Sequence, residues 1–218
     1  LNMPLVYTFW ITLSATLAIA GHYLALDWLH WIFKPATTLL IAVWAWRAQT
    51  VERGYQRVIL IGLLLSCLGD VFLMLPGDWF LHGLVSFLLA HVGYLFAFRL
   101  RAPWVGHLWP FLLYALIAAP IVWILWPYLP SLLRAPVLLY VAALAAMAAQ
   151  ATAVWWRRRD RLTALAAIGG ASFVLSDAIL AWNRFVDPFE AGRLANLLSY
   201  WLAQWLIALS VATSVRSR

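Results

Sequence analysis

The chain has 218 residues, of which 66% are hydrophobic and 11% charged, and its mean hydropathy is +0.88. A water-soluble domain of this size has no use for so much apolar surface, so composition excludes one and indicates an integral membrane protein. The formal net charge of +7 is spread over short segments between apolar runs. There it reads as a topology signal, not as a nucleic-acid surface.

Read in chain order, eight apolar runs of near-spanning length are predicted as transmembrane helices: 5–21, 31–46, 58–75, 79–98, 108–126, 136–156, 162–182 and 194–213. The expected fold is therefore all-α and polytopic, a single integral membrane domain over 1–218. The first run ends in Ala18-Ile19-Ala20-Gly21, which looks like a signal-peptidase site. No Lys or Arg precedes it, so an uncleaved helix is expected. Pro35 and Pro136 are placed in first turns, where a missing N–H is harmless, while Pro120 falls inside the fifth run and should kink it. Trp residues gather near the predicted ends (Trp44, Trp46, Trp79, Trp126, Trp155), as in an interfacial aromatic belt.

Eight spans put the loops 47–57, 99–107 and 157–161 on the same side as both termini. That side holds eleven Arg: Arg47, Arg53, Arg57, Arg99, Arg101, Arg157, Arg158, Arg159, Arg161, Arg216 and Arg218. The other side holds four basic residues, Lys34, Arg134, Arg184 and Arg193. The positive-inside rule then places both termini in the cytoplasm, in what is expected to be a bacterial inner membrane. No linker or soluble domain remains.

Asp70 and Asp177 lie inside apolar runs, in the matching contexts Leu68-Gly69-Asp70 and Leu175-Ser176-Asp177. An ionisable group at membrane depth is costly and faces a protein interior or a wet cavity, so these two acids are the first candidates for a site. Both helices run outward, and each Asp lies about six residues, or ~9 Å, before the outer end. Lys34, in the first turns of the second helix, falls at a similar level, either snorkelling to headgroups or pairing with an acid. Aligning 62–73 with 169–180, an offset of 107, matches Gly62 with Gly169, Leu68 with Leu175, Asp70 with Asp177 and Leu73 with Leu180. Four helices per half fit two parallel four-helix repeats.

The remaining polar residues are read as supports. His91 and Tyr94 share a face of the fourth helix with Gly83 and Phe87. A structural hydrogen bond to a facing backbone or hydroxyl group accounts for such a His as well as chemistry does. Asn196, Tyr200 and Gln204, four residues apart, form an inward stripe on the eighth helix, as interhelical glue or a cavity wall. Ser66 and Ser176 flank the acids as packing residues, because no serine motif with a base partner appears. Asn183 and Arg184 stand with Arg193 at the outer 183–193 loop, where Arg184 and Arg193 are expected to be solvated and first to meet a phosphate headgroup. Cys67, the single cysteine, is read as core filler. No metal-ligand spacing, phosphate loop or redox motif is present, so no cofactor or metal is expected.

Lys34-Pro35, Gly69-Asp70 with Leu73, the Phe80/Gly83/Phe87/His91/Tyr94 series, Gly170-Ala171 through Ser176-Asp177, and Arg184-Phe185 occur in order and with sensible spacing. Together they resemble the YhhN-like family of integral membrane proteins, which includes lysoplasmalogenases. The resemblance implies an eight-helix enzyme that hydrolyses the vinyl ether of an alkenyl lysophospholipid, giving a fatty aldehyde and a glycerophospho-headgroup, with water and membrane lipids as its other partners.

The residues suit that chemistry. Vinyl ethers are cleaved by protonation of the alkene carbon, addition of water to the oxocarbenium ion, and collapse of the hemiacetal. Two carboxyls can share one proton, so one Asp is expected to protonate while the other steadies the cation and deprotonates water. Phe72, Phe87 and Phe173 are expected to line the alkenyl chain. The rival expectation is a proton-coupled transporter using the same acids, although neither Asp helix has the internal Pro of a broken transporter helix. A third reading makes the acids a structural lock with Lys34.

Overall fold

The computed structural model describes residues 3–212 and is built entirely from helices within them. Eight α-helices follow in order: α1 Met3–Tyr23, α2 Asp27–Arg47, α3 Arg53–Phe72, α4 Phe80–Arg99, α5 Trp109–Leu125, α6 Ser131–Arg158, α7 Arg161–Phe185 and α8 Gly192–Leu209. Six of them (all but α2 and α8) are long and apolar enough to cross a membrane. The two exceptions carry the polar stripes: Asp27, His30 and Lys34 on α2, and Asn196, Tyr200 and Gln204 on α8. The protein is an integral membrane protein whose helix count agrees with the eight runs.

Three helix starts differ from the sequence expectation, one of them that of α3, which begins at Arg53 and not 58. α2 begins at Asp27, not 31, and α6 at Ser131, so Pro35 and Pro136 lie inside helices. Hydropathy puts a boundary where polar residues begin, but His30 on α2 and Gln56 on α3 are buried against neighbouring helices, so those helices continue past them. α5 remains helical through Pro120.

Short connections alternate between the two ends of the bundle. Those after α2, α4 and α6 share one end, here the basic end, where Glu52 accepts from Arg101 and, at 3.2 Å, from Arg158. Arg101 also donates to the Ser210 carbonyl at 3.0 Å and stacks over Tyr55, tying the close of α8 to the same knot. Asp160 caps α7 by accepting from the Thr163 N–H at 2.9 Å. At the distal end Arg184 meets Asp78 at 3.0 Å. Of the basic-side residues counted above, Arg216 and Arg218 lie outside the described residues.

α1 packs on α2, α3 on α4, and α7 on α8, while α6 lies against both α4 and α7 and α2 bridges α3 to α8. One apolar cluster draws on all eight helices. α3 meets α4 closely because Gly62 and Gly69 leave room for rings. A Cβ at Gly69 would sit 2.6 Å from Phe87, and one at Gly62 would overlap Tyr94. α5 is the peripheral helix, resting mainly on α6 with a few contacts to α7.

Candidate functional site

Asp70 is buried at the meeting of α2, α3 and α8. Lys34 Nζ lies 3.4 Å from its Oδ1, while Thr38 Oγ1 and the Tyr200 hydroxyl donate to Oδ2 at 2.8 and 2.7 Å. Lys34 and Thr38, one turn apart on α2, therefore hold the same carboxylate. Lys34 is itself buried, so its ion-pair reading holds and the snorkelling one does not. Both charges are removed from water, and the three donors are what make that tolerable.

Asp177 has a different setting. It is half-buried, and the Tyr140 hydroxyl of α6 donates to its Oδ2 at 2.5 Å. It faces a narrow cavity of about 80 Å³ between α4, α5, α6 and α7, smaller than the ~300–1,000 Å³ of a typical ligand pocket. The walls are Phe80, Leu84, Phe87, Leu125, Val137, Leu144 and Phe185, and Asp177 is the one carboxyl among the lining residues. Tyr114, also in the lining, has its hydroxyl 3.5 Å from Thr152 Oγ1.

Among the described residues the two acids have no polar partner in common. Asp70 does not line the cavity; its partner Tyr200 packs edge-on to the cavity wall Phe87 at 5.8 Å and to Phe173 at 5.6 Å. Each carboxyl thus has its own phenol and its own surroundings. The expected lining is corrected too. Phe87 does line the cavity, but Phe173 is wholly buried behind it, and Phe72 stacks on Trp79 at 6.1 Å.

The α8 stripe turns inward and each member finds a partner. Asn196 Nδ2 donates to the Ser176 carbonyl and Oγ, both at 2.9 Å, Tyr200 reaches Asp70, and Gln204 Oε1 accepts from the Tyr94 hydroxyl at 2.7 Å. Ser66 and Ser176 are both buried, and the Ser176 hydroxyl donates to the Asn196 carbonyl at 3.2 Å. His91 departs from expectation: neither ring nitrogen has a hydrogen-bond partner among the described residues. The ring instead sits edge-on to Phe173 at 4.6 Å and Tyr140 at 5.1 Å. Asn183 donates to the Ile179 carbonyl and accepts from Phe189 N–H, closing the α7 end. Arg184 is not free in solvent: besides Asp78 it covers Phe80 at 4.4 Å, over a ring of the cavity wall. Cys67 is buried with Sγ 3.7 Å from the Pro35 carbonyl. Sequence reading missed Thr38, Tyr140 and Tyr114. Thr38 was signalled by its place one turn after Lys34, and Tyr140 by being a lone phenol in an otherwise apolar stretch of α6.

With this geometry, comparison with known proteins is informative. Residues 29–211 match the YhhN family. The chain belongs to that family. Among relatives, lysoplasmalogenase TMEM86B of Sus scrofa is 36% identical over 188 residues, covering 86% of this chain and 77% of the relative. Human lysoplasmalogenase TMEM86B is 31% identical, covering 87% of this chain and 78% of the relative. The uncharacterized membrane protein YhhN of Escherichia coli O157:H7 is 26% identical, covering 92% and 96%. No solved structure matches. In this YhhN-family chain both acids, all of Asp70's donors and the whole Asp177 cavity fall within the matched residues.

Proposed function

We propose that this protein is a lysoplasmalogenase-type ether hydrolase, cleaving the vinyl ether of an alkenyl lysophospholipid with water. The observation that carries the reading is Asp177: a single carboxyl, oriented by a phenol, facing an otherwise apolar cavity at membrane depth. The names of the mammalian relatives support it.

In this reading Asp177 delivers its proton to the alkene carbon remote from oxygen, and the oxygen lone pair forms the oxocarbenium ion. The resulting carboxylate faces the cation, takes a proton from the water that adds to it, and is restored to its starting state. The hemiacetal then breaks its carbon–oxygen bond, releasing fatty aldehyde and the glycerol hydroxyl. Tyr140 holds Oδ2 and leaves Oδ1 for the substrate. The Phe87 and Leu84 side exposes the alkenyl chain to carbon rather than to bulk water.

Asp70 acts at one remove. Held by Lys34, Thr38 and Tyr200, it fixes the phenol that packs against Phe87, so it is a positioning residue. The basic end is assigned to the cytoplasm, with the cavity toward the outer leaflet.

The test follows aldehyde release by purified protein from an alkenyl lysophospholipid and from its saturated ether analogue. Turnover is expected only of the first, falling at least ~100-fold in Asp177→Asn, which keeps the acceptor for Tyr140. Full activity of that variant would end the acid assignment. Solute uptake coupled to protons, with no aldehyde formed, would replace the enzyme by the transporter.

A further inference from the structure

A second apolar cleft lies between α5 and α6, on the periphery of the bundle. It is lined by alanines and bulkier apolar side chains, including Ala115, Ala119, Ala142, Trp123 and Leu138, and by no charged residue. Trp123 is 82% and Leu138 41% exposed, so the cleft opens on the surface that faces the bilayer. It shares Ala118, Val141 and Ala145 with the Asp177 cavity. The two spaces therefore adjoin at small side chains, at a level inward of Tyr140.

We propose that this α5–α6 cleft is the portal for the hydrocarbon chain of the lipid substrate: the alkenyl tail passes between Ala118 and Ala145 into the membrane while its ether end stays at Asp177. The inference rests on the proposed hydrolase and adds where the chain goes.

Three observations select a lipid chain as occupant. The first is adjacency to the Asp177 cavity, since only Ala118, Val141 and Ala145 are shared as a wall between the two spaces and a chain held at Asp177 needs to pass no larger side chain to reach the cleft. The second is length. The cleft runs along α5 from Phe111 to Trp126, ~22 Å at ~1.5 Å per residue, which accommodates the ~15 Å of one leaflet's hydrocarbon. The third is the comparison between halves. At the offset of 107, Val141 and Ala145 stand where Lys34 and Thr38 stand in the first half. The residues that fill the space beside Asp70 with polar groups are replaced beside Asp177 by short apolar ones that leave it open.

The test uses hexadecenyl and hexenyl lysophospholipids with a choline headgroup and reads the ratio of their kcat/KM values. Ala142 lines the cleft but not the cavity, and it is exposed. Ala142→Trp should therefore lower the long-to-short ratio by about tenfold, a typical effect of blocking a hydrophobic subsite. Leu139→Trp puts the same ring on the bilayer-facing surface outside the cleft and should leave the ratio unchanged. An unchanged ratio in Ala142→Trp, or an equal fall in Leu139→Trp, overturns the portal.

A saturated ether lysolipid with a diazirine at the tail end reads binding without turnover. It should label the 111–126 or 138–146 segments, and Ala142→Trp should abolish that labelling. Absence of aldehyde in the native protein would defeat the hydrolase, yet labelling there would still support the portal. Labelling elsewhere, or dimer crosslinks through the cleft, would overturn it.

Discussion

Lys34 and Asp70 bring opposite charges into one buried contact, and the pair fails badly if only one is removed. Lys34→Met should cost ~3–5 kcal/mol, because Asp70 would keep its charge with no cation beside it. Thermal unfolding in detergent should show a much lower Tm for this variant, and most of it should return in the double variant with Asp70→Asn. Tyr140 is the corresponding test at the other acid. Tyr140→Phe removes the one donor to Asp177 among the described residues, and aldehyde release should fall ~10–100-fold, the worth of a hydrogen bond to a charged group. The acids and Lys34 were legible in the sequence because a charge in an apolar run has few places to go. Thr38 and Tyr140 gave only the weaker signal of position, since neither carries a charge and both are tolerated on many helix surfaces. His91 shows the limit of motif reading: sharing a face with Tyr94 did not reveal that its neighbours would be Phe173 and Tyr140, aromatic rings that leave its nitrogens unpaired.

Among the elements, α3 and α4 are held together by what α3 lacks. Gly69→Ala would press a methyl group into Phe87, whose ring forms both the α4 contact and the cavity wall. Overpacking of this kind costs ~1–3 kcal/mol. We expect a lower Tm together with weaker substrate binding, seen as a raised KM, and recovery of Tm when Phe87→Leu is added. Helix existence was readable from apolar run length throughout, and the edges of α4 and α7 fall within a few residues of expectation. α2, α3 and α6 began earlier because hydropathy treats His30, Gln56 and Arg134 as boundary residues, whereas two of those three are packed into the bundle. The cavity itself was illegible: it depends on the volumes of side chains from four helices, and no run of consecutive residues encodes it.

For the molecule as a whole, the two ends have different work. The basic end is locked by Glu52 between Arg101 and Arg158, with Ser210 drawn in. Glu52→Ala would leave the buried Arg101 without its carboxylate, and a loss of ~3 kcal/mol is expected, visible as a lower Tm. Aldehyde release per folded molecule should stay at the native level, because the knot and the Asp177 cavity lie at opposite ends of α6. The convergence of the basic connections could be anticipated from counting Arg along the chain, but the lock that joins them could not, since Glu52 is one acid in a loop. One consequence concerns biogenesis. α2 and α8 are the two helices too polar to qualify as spans by themselves, and each reaches Asp70 with a donor. A translocon that releases helices one at a time would find α2 a poor passenger until α3 emerges to neutralise Lys34. α8, the last of the eight to be translated, completes the shell around Asp70 and supplies Gln204 to the phenol of Tyr94. Lateral insertion of these two helices is therefore expected to depend on assembly, with a ribosome stalled before α8 holding a bundle whose seam beside Asp70 is open.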